Sequence, residues 1–137
     1  MINSYSNTSQ SVAIDEALIF NINRVKTICT INHTAGTATF TLNAPGYYLV
    51  SFNGDGTSSG TAGDVVVQLK NGSDYVPGAI ATFTSEAAAD TGNLGFTTLI
   101  QVNPSCRAVN NNADLTFVNT GVAATFSNAN VVITKIC

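Results

Sequence analysis

Apolar and polar positions alternate most regularly between residues 36 and 54. Ala38, Phe40 and Leu42 fall on one side, and Thr37, Thr39 and Thr41 on the other. That period of two predicts a half-buried strand rich in β-formers. Asn43-Ala44-Pro45-Gly46 follows, with proline fixing φ and glycine free to take a positive one, so a turn is expected there. The next strand carries Tyr48, Val50 and Phe52 on one face. Its other face holds Tyr47 and Leu49, also apolar, so this strand needs cover on both sides. Such a strand belongs either in the middle of a sandwich or at an interface.

The same reading runs along the rest of the chain. Residues 1–11 are polar and without periodicity, which predicts a loose arm preceding a domain over 12–137. A strand is expected from Val12 to Phe20, broken by Asn21-Ile22-Asn23-Arg24, and a short one from Ile28 to His33. The glycine-rich stretch 53–63 predicts a long loop. Asp64–Lys70 follows as a strand with Val65, Val67 and Leu69 inward, closed by the turn dipeptide Asn71-Gly72. Ala79–Glu86, Leu94–Val102 and Asp114–Asn119 are further strands. Leu94, Phe96, Thr98, Ile100 and Val102 share one face, and a loop spans Asn103–Asn112. The closing strand, Asn130–Ile136, sets Val131 and Ile133 against Val132 and Ile136. No helical period with a cap occurs. About eight to ten short strands at this spacing predict an all-β, two-sheet antiparallel sandwich of jelly-roll type.

Composition sharpens this picture. At 137 residues the chain is long enough for one domain with its own core. Only 9% of residues are charged, against about 25% in ordinary soluble domains. Threonine, asparagine, serine and glycine carry the polarity instead, and they favour strands and turns. A net charge of −3 with five basic residues gives no footprint for nucleic acid. No basic amphipathic stretch suits a membrane surface, and no apolar run reaches the ~20 residues of a membrane span. The first ten residues lack the basic and apolar regions of a secretory signal, so synthesis and assembly in the cytoplasm are expected.

Candidate chemistry is sparse. Cys29, Cys106 and Cys137 are an odd set, read as buried free thiols or as one late disulfide whose pairing the spacing does not assign. Cys29 and the single histidine, His33, would lie about 13 Å apart along a strand. Zinc holds its ligands at about 2.0–2.3 Å, so the pair fails as a metal site, and His33 is expected to be structural or at the surface. No local context for a nucleophilic triad is present. Glu16 and Glu86 are the only glutamates, leaving scattered aspartates for any carboxylate pair, and no enzyme activity is expected. In the glycine-rich loop, Asn53, Asp55, Thr57 and Asp64 partly match the offsets of a calcium loop. Ser58 stands where that loop needs glycine, and Asp64 where it needs glutamate. A mobile apical loop is the simpler reading, and no metal or cofactor is expected. The sequons at Asn7, Asn32 and Asn71 read as chance.

Gly36-x-x-x-Phe40-x-Leu42-x-x-Pro45-Gly46-x-Tyr48-x-x-x-Phe52 resembles the strand pair of the tumour necrosis factor and complement globular-head jelly rolls. Val65-Val-Val-Gln-Leu-Lys-Asn-Gly72 is similar to the hairpin that follows in that superfamily, Leu94–Val118 to the next strand pair, and Val131–Ile136 to the last strand. The alanine-, threonine- and asparagine-rich style is similar to bacterial members, among them the heads of collagen-like spore-surface proteins and phage virion proteins. The sequence has no Gly-x-y repeat, and no receptor-binding motif carries over. The resemblance implies a ten-stranded sandwich and a homotrimer. It also places the strand after Pro45-Gly46, the strand near 94–102 and the last strand in one inner sheet. Those strands carry Tyr47, Leu49, Leu99, Val132 and Ile136 on their second face, the expected trimer interface. The function implied is a structural surface protein of a phage virion, as head fibre, decoration or tail component, or of a bacterial spore. The residues 1–11 would be its anchor to the particle. A trimeric module for a host glycan or receptor is the alternative.

Overall fold

A computed structural model describes residues 1–27, 30–87, 89–104 and 113–137. Cys29, Cys106 and most of the loop expected at 103–112 lie outside the described residues. The described residues form eleven strands and no helix. In chain order these are β1 (Ile2–Tyr5), β2 (Gln10–Val12), β3 (Ile22–Lys26), β4 (Ile31–Asn32), β5 (Phe40–Leu42), β6 (Gly46–Ser58), β7 (Gly63–Asn71), β8 (Asp74–Ser85), β9 (Thr91–Val102), β10 (Ala113–Asn119) and β11 (Ala124–Lys135). One sheet runs β3-β1-β11-β6-β9, with β2 also paired to β11, and the other runs β4-β5-β10-β7-β8. Every pairing is antiparallel. The expected inner-sheet strands β6, β9 and β11 are neighbours.

The two sheets face each other over one core, and alternation decides which side chains enter it. Tyr48, Val50 and Phe52 of β6 point in, as do Val65, Val67 and Leu69 of β7, and Leu115 and Phe117 of β10. Phe52 meets Phe117 across the sandwich at 5.4 Å between ring centres, and Phe20, Phe40 and Phe96 extend the cluster. Tyr48 is buried along its ring, and its hydroxyl donates to the Ala44 carbonyl at 2.7 Å, which locks the turn ahead of β6. Gly46 closes that turn at φ +141°, where a Cβ would lie 2.3 Å from the Cys137 carbonyl oxygen. Only glycine fits there.

Four sequence expectations are corrected. Residues 1–11 are not a loose arm, because β1 sits inside the six-stranded sheet between β3 and β11 and buries Ile2 completely. The domain therefore includes them. The stretch 12–20 is not one strand: it turns at Asp15, which has φ +66° and donates its N–H to the Asn119 carbonyl at 2.7 Å, and then bridges Val118 of the five-stranded sheet at Ala17 and Thr37 at Phe20. Arg24 does not break a strand but lies within β3. The loop expected at 53–63 is mostly strand, since β6 continues to Ser58. Gly56 marks close approach rather than a loop: a Cβ there would lie 2.8 Å from Val65 of the opposite sheet, whereas Gly60, at φ +99°, belongs to the short turn that remains.

Burial of β1 has an energetic consequence. Ile2→Ala removes a fully buried side chain between two paired strands and is expected to cost about 2–5 kcal/mol. The urea midpoint reads it. A loss below about 0.5 kcal/mol, the ordinary surface value, would mean that β1 is an ornament on the sandwich rather than part of it.

Candidate functional site

Among the described residues no second layer covers the outward face of the six-stranded sheet, and its register sorts residues into two ends. Leu49 pairs with Leu99 on one side and Thr134 on the other, while Tyr47 pairs with Gln101. Ile136 donates its N–H to the Tyr47 carbonyl at 2.9 Å. One step further along, Ser51 lies between Thr97 and Val132, and Val132 pairs with Asn3 of β1. Tyr47, Leu49, Val132, Leu99 and Ile136 thus share this face. Tyr47 is 45% exposed, Leu49 39%, Leu99 58% and Ile136 54%, while Val132 is half-buried.

Beyond Val132 the face changes character. Asn53 lies between Gly95 and Asn130, and Asn130 pairs with Tyr5; Asp55 lies between Asn93 and Ser127. Amides link the strands sideways. Asn3 Nδ2 donates to Asn130 Oδ1 at 2.7 Å, and Asn130 Nδ2 to Asn53 Oδ1 at 3.2 Å. Asp55 accepts from Asn128 Nδ2 at 2.9 Å and Asn93 Nδ2 at 3.0 Å. These two bonds, Asn128 first, hold its carboxyl below the usual carboxylate range against a small opposing effect of burial. One end of the face is apolar and the other is a ladder of carboxamides.

The residues of the calcium reading are not brought together. Asn53 and Asp55 stand on the open face in β6, whereas Asp64 lies in β7 of the other sheet and accepts from Thr84 Oγ1 at 2.8 Å. A β-strand separates ligands that a loop would have gathered. Among the described residues no three histidine, cysteine, aspartate or glutamate side chains converge, and no buried side-chain nitrogen or oxygen lacks a partner. Cys137 is exposed and has no disulfide partner among the described residues. Sequence reasoning missed Asn3, Tyr5, Arg24, Asn128 and Asn130, which line a concavity of about 560 Å³ at the polar end. The available signal was Ile2-Asn3-Ser4-Tyr5, whose alternation is blurred because the inward residue Ser4 is polar.

No protein-family model matches the chain, and no curated protein does. Solved structures do. The Eiger TNF of S. frugiperda superposes with a TM-score of 0.67 at 13% identity, covering 99% of this chain and 91% of that one. Murine APRIL at pH 5.0 gives 0.62 at 8%, covering 98% and 97%. PRD1 vertex protein P5 gives 0.57 at 14%, covering 99% and 96%. The fold is the tumour-necrosis-factor-like jelly roll, as the strand motifs implied.

His33, the one histidine, is fully buried and structural. Its ring stacks on Phe40 at 4.1 Å; Nε2 lies 3.0 Å from the Thr37 carbonyl oxygen and Nδ1 2.7 Å from Asn23 Oδ1. Ser4 Oγ donates to the same Asn23 oxygen. Thr37 favours a proton on the ring, but burial outweighs it and Lys26 adds to burial, so the pKa lies below the ordinary 6.5. The unfolded chain then takes up the proton first. Stability should be intact above about pH 6.5 and fall as the pH drops below it toward the folded pKa. His33→Gln should flatten the melting temperature between pH 7 and 5 relative to wild type. Parallel pH profiles for the two proteins would show that His33 contributes nothing to it.

Proposed function

We propose that the chain is a non-enzymatic head domain of a phage virion, working as a parallel homotrimer packed through the apolar end of its open sheet face. The observation that carries the reading is the cluster Tyr47, Leu49, Leu99, Val132 and Ile136. In a monomeric sandwich each strand has one dry face and one wet face. Here three neighbouring strands present apolar side chains on the wet face together, at the same end. A contiguous exposed patch of that kind marks an interaction surface. Burying one large apolar side chain is worth about 1.5–3 kcal/mol, and threefold symmetry repeats each contact in every subunit. The virion assignment is supported by the shared fold with a phage vertex protein. The low charge and the polar amide surface suit a domain exposed to the medium.

Leu49→Asp would set three carboxylates near one another in apolar surroundings. The variant should run as monomer or aggregate in sedimentation or light scattering, while Thr39→Asp, at an exposed site on the other sheet's side, should match wild type. Wild type running as a monomer at micromolar concentration would end the trimer reading.

A further inference from the structure

The concavity at the polar end of the open face is framed by two β-bulges. Between Asn3 and Ser4 the β1–β3 register slips, leaving Arg24 as the extra residue of β3. Between Ser127 and Asn130 the β11–β6 register slips as well, and Asn128 takes φ +54°. Bulges re-aim side chains out of the regular alternation, and they gather beside binding sites. These two stand on either side of β1, and Arg24 and Asn128 both line the hollow between them.

The groups offered there are specific in kind. The Arg24 guanidinium sits 4.6 Å over the Tyr5 ring and donates to none of the described residues, so a cation–π contact positions it while its N–H groups stay open. Asn3 Oδ1, Asn128 Oδ1, Asn7 Nδ2 and the Tyr5 hydroxyl also have no partner among the described residues, while the opposite ends of the three amides are each tied down. The amides are therefore oriented before any ligand arrives. Ala129 and Val132 are the aliphatic residues of its lining.

We propose that this concavity binds a saccharide carrying a single carboxylate. A guanidinium matches a carboxylate in a two-point contact, and oriented carboxamides exchange donors and acceptors with sugar hydroxyls. One cation, with the Asp55 carboxylate fastened to Asn128 beside it, suits a monoanion and disfavours a phosphate dianion. The site goes beyond the trimer reading and shares only Val132 with that patch.

The test uses the full chain with sialyllactose, galacturonic acid and their neutral counterparts lactose and galactose, titrated by calorimetry. Either acidic sugar should bind, and which one does names the source of the carboxylate. The neutral counterpart should bind about tenfold more weakly or worse, and Arg24→Ala and Asn128→Ala should each lose about tenfold, with Thr39→Asp unchanged. Light scattering on the same samples separates the two readings. Binding by a wild-type monomer would sustain the site while the trimer fails. The proposal is overturned by no binding of either acid, by equal binding of the neutral sugars, or by an Arg24→Ala variant that binds as wild type. It is equally overturned if Arg24→Ala dissociates the trimer and wild type binds no sugar, which would assign the hollow to the subunit contact.

Discussion

The contact between the sheets governs everything on the outer surface. Phe52 of the six-stranded sheet and Phe117 of the five-stranded sheet stack at 5.4 Å, with Phe96, Phe40, Phe20 and the His33 ring continuing the cluster. Because a strand has a period of two, fixing Phe52 inward fixes Ser51 and Asn53 outward. A slip of one residue would exchange the entire set. The apolar patch and the amide ladder therefore inherit their positions from the aromatic core beneath them.

That dependence explains why so much of the fold was legible in the sequence. Tyr48, Val50 and Phe52, or Val65, Val67 and Leu69, announce their inward faces without help from the rest of the chain. The exposed set Tyr47, Leu49 and Leu99 was legible for the same reason, being apolar residues on the face that ought to be polar. β1 was not legible, because Ser4 occupies an inward position and is satisfied there by a hydrogen bond to Asn23, nineteen residues away in sequence. No local pattern records a partner at that distance.

The remaining misreadings share a cause. Gly54 and Gly56 look like loop residues because glycine is poor at holding a strand, yet in β6 Ala129 presses close on the first and Val65 leaves no room for a side chain on the second. Ile14 and Ile19 look like strand residues because they are β-branched and apolar, yet both are exposed around the Asp15 turn. Arg24 and Asn128 acquired their positions from bulges, which exist only as a relation between two strands. A bulge leaves no mark on either strand read alone.

The position of β11 bears on how the molecule is made. It lies between β1 and β6, so the first and last strands of the sequence are neighbours, with Ile2 opposite Ile133. During synthesis from the amino end, β1 and β3 can pair only with each other until β11 has left the ribosome. Such a two-stranded ribbon is marginal by itself in water. The five-stranded sheet is under the same restriction, since its central strand β10, at Ala113–Asn119, joins β5 to β7 only shortly before β11 is made. The nascent chain therefore spends most of its synthesis with both sheets split in two, each joined late by a single strand entering between its halves. Closing so long a loop is slow by nature, and the unpaired edges of β1 and β6 stay open to a neighbouring nascent chain until it happens.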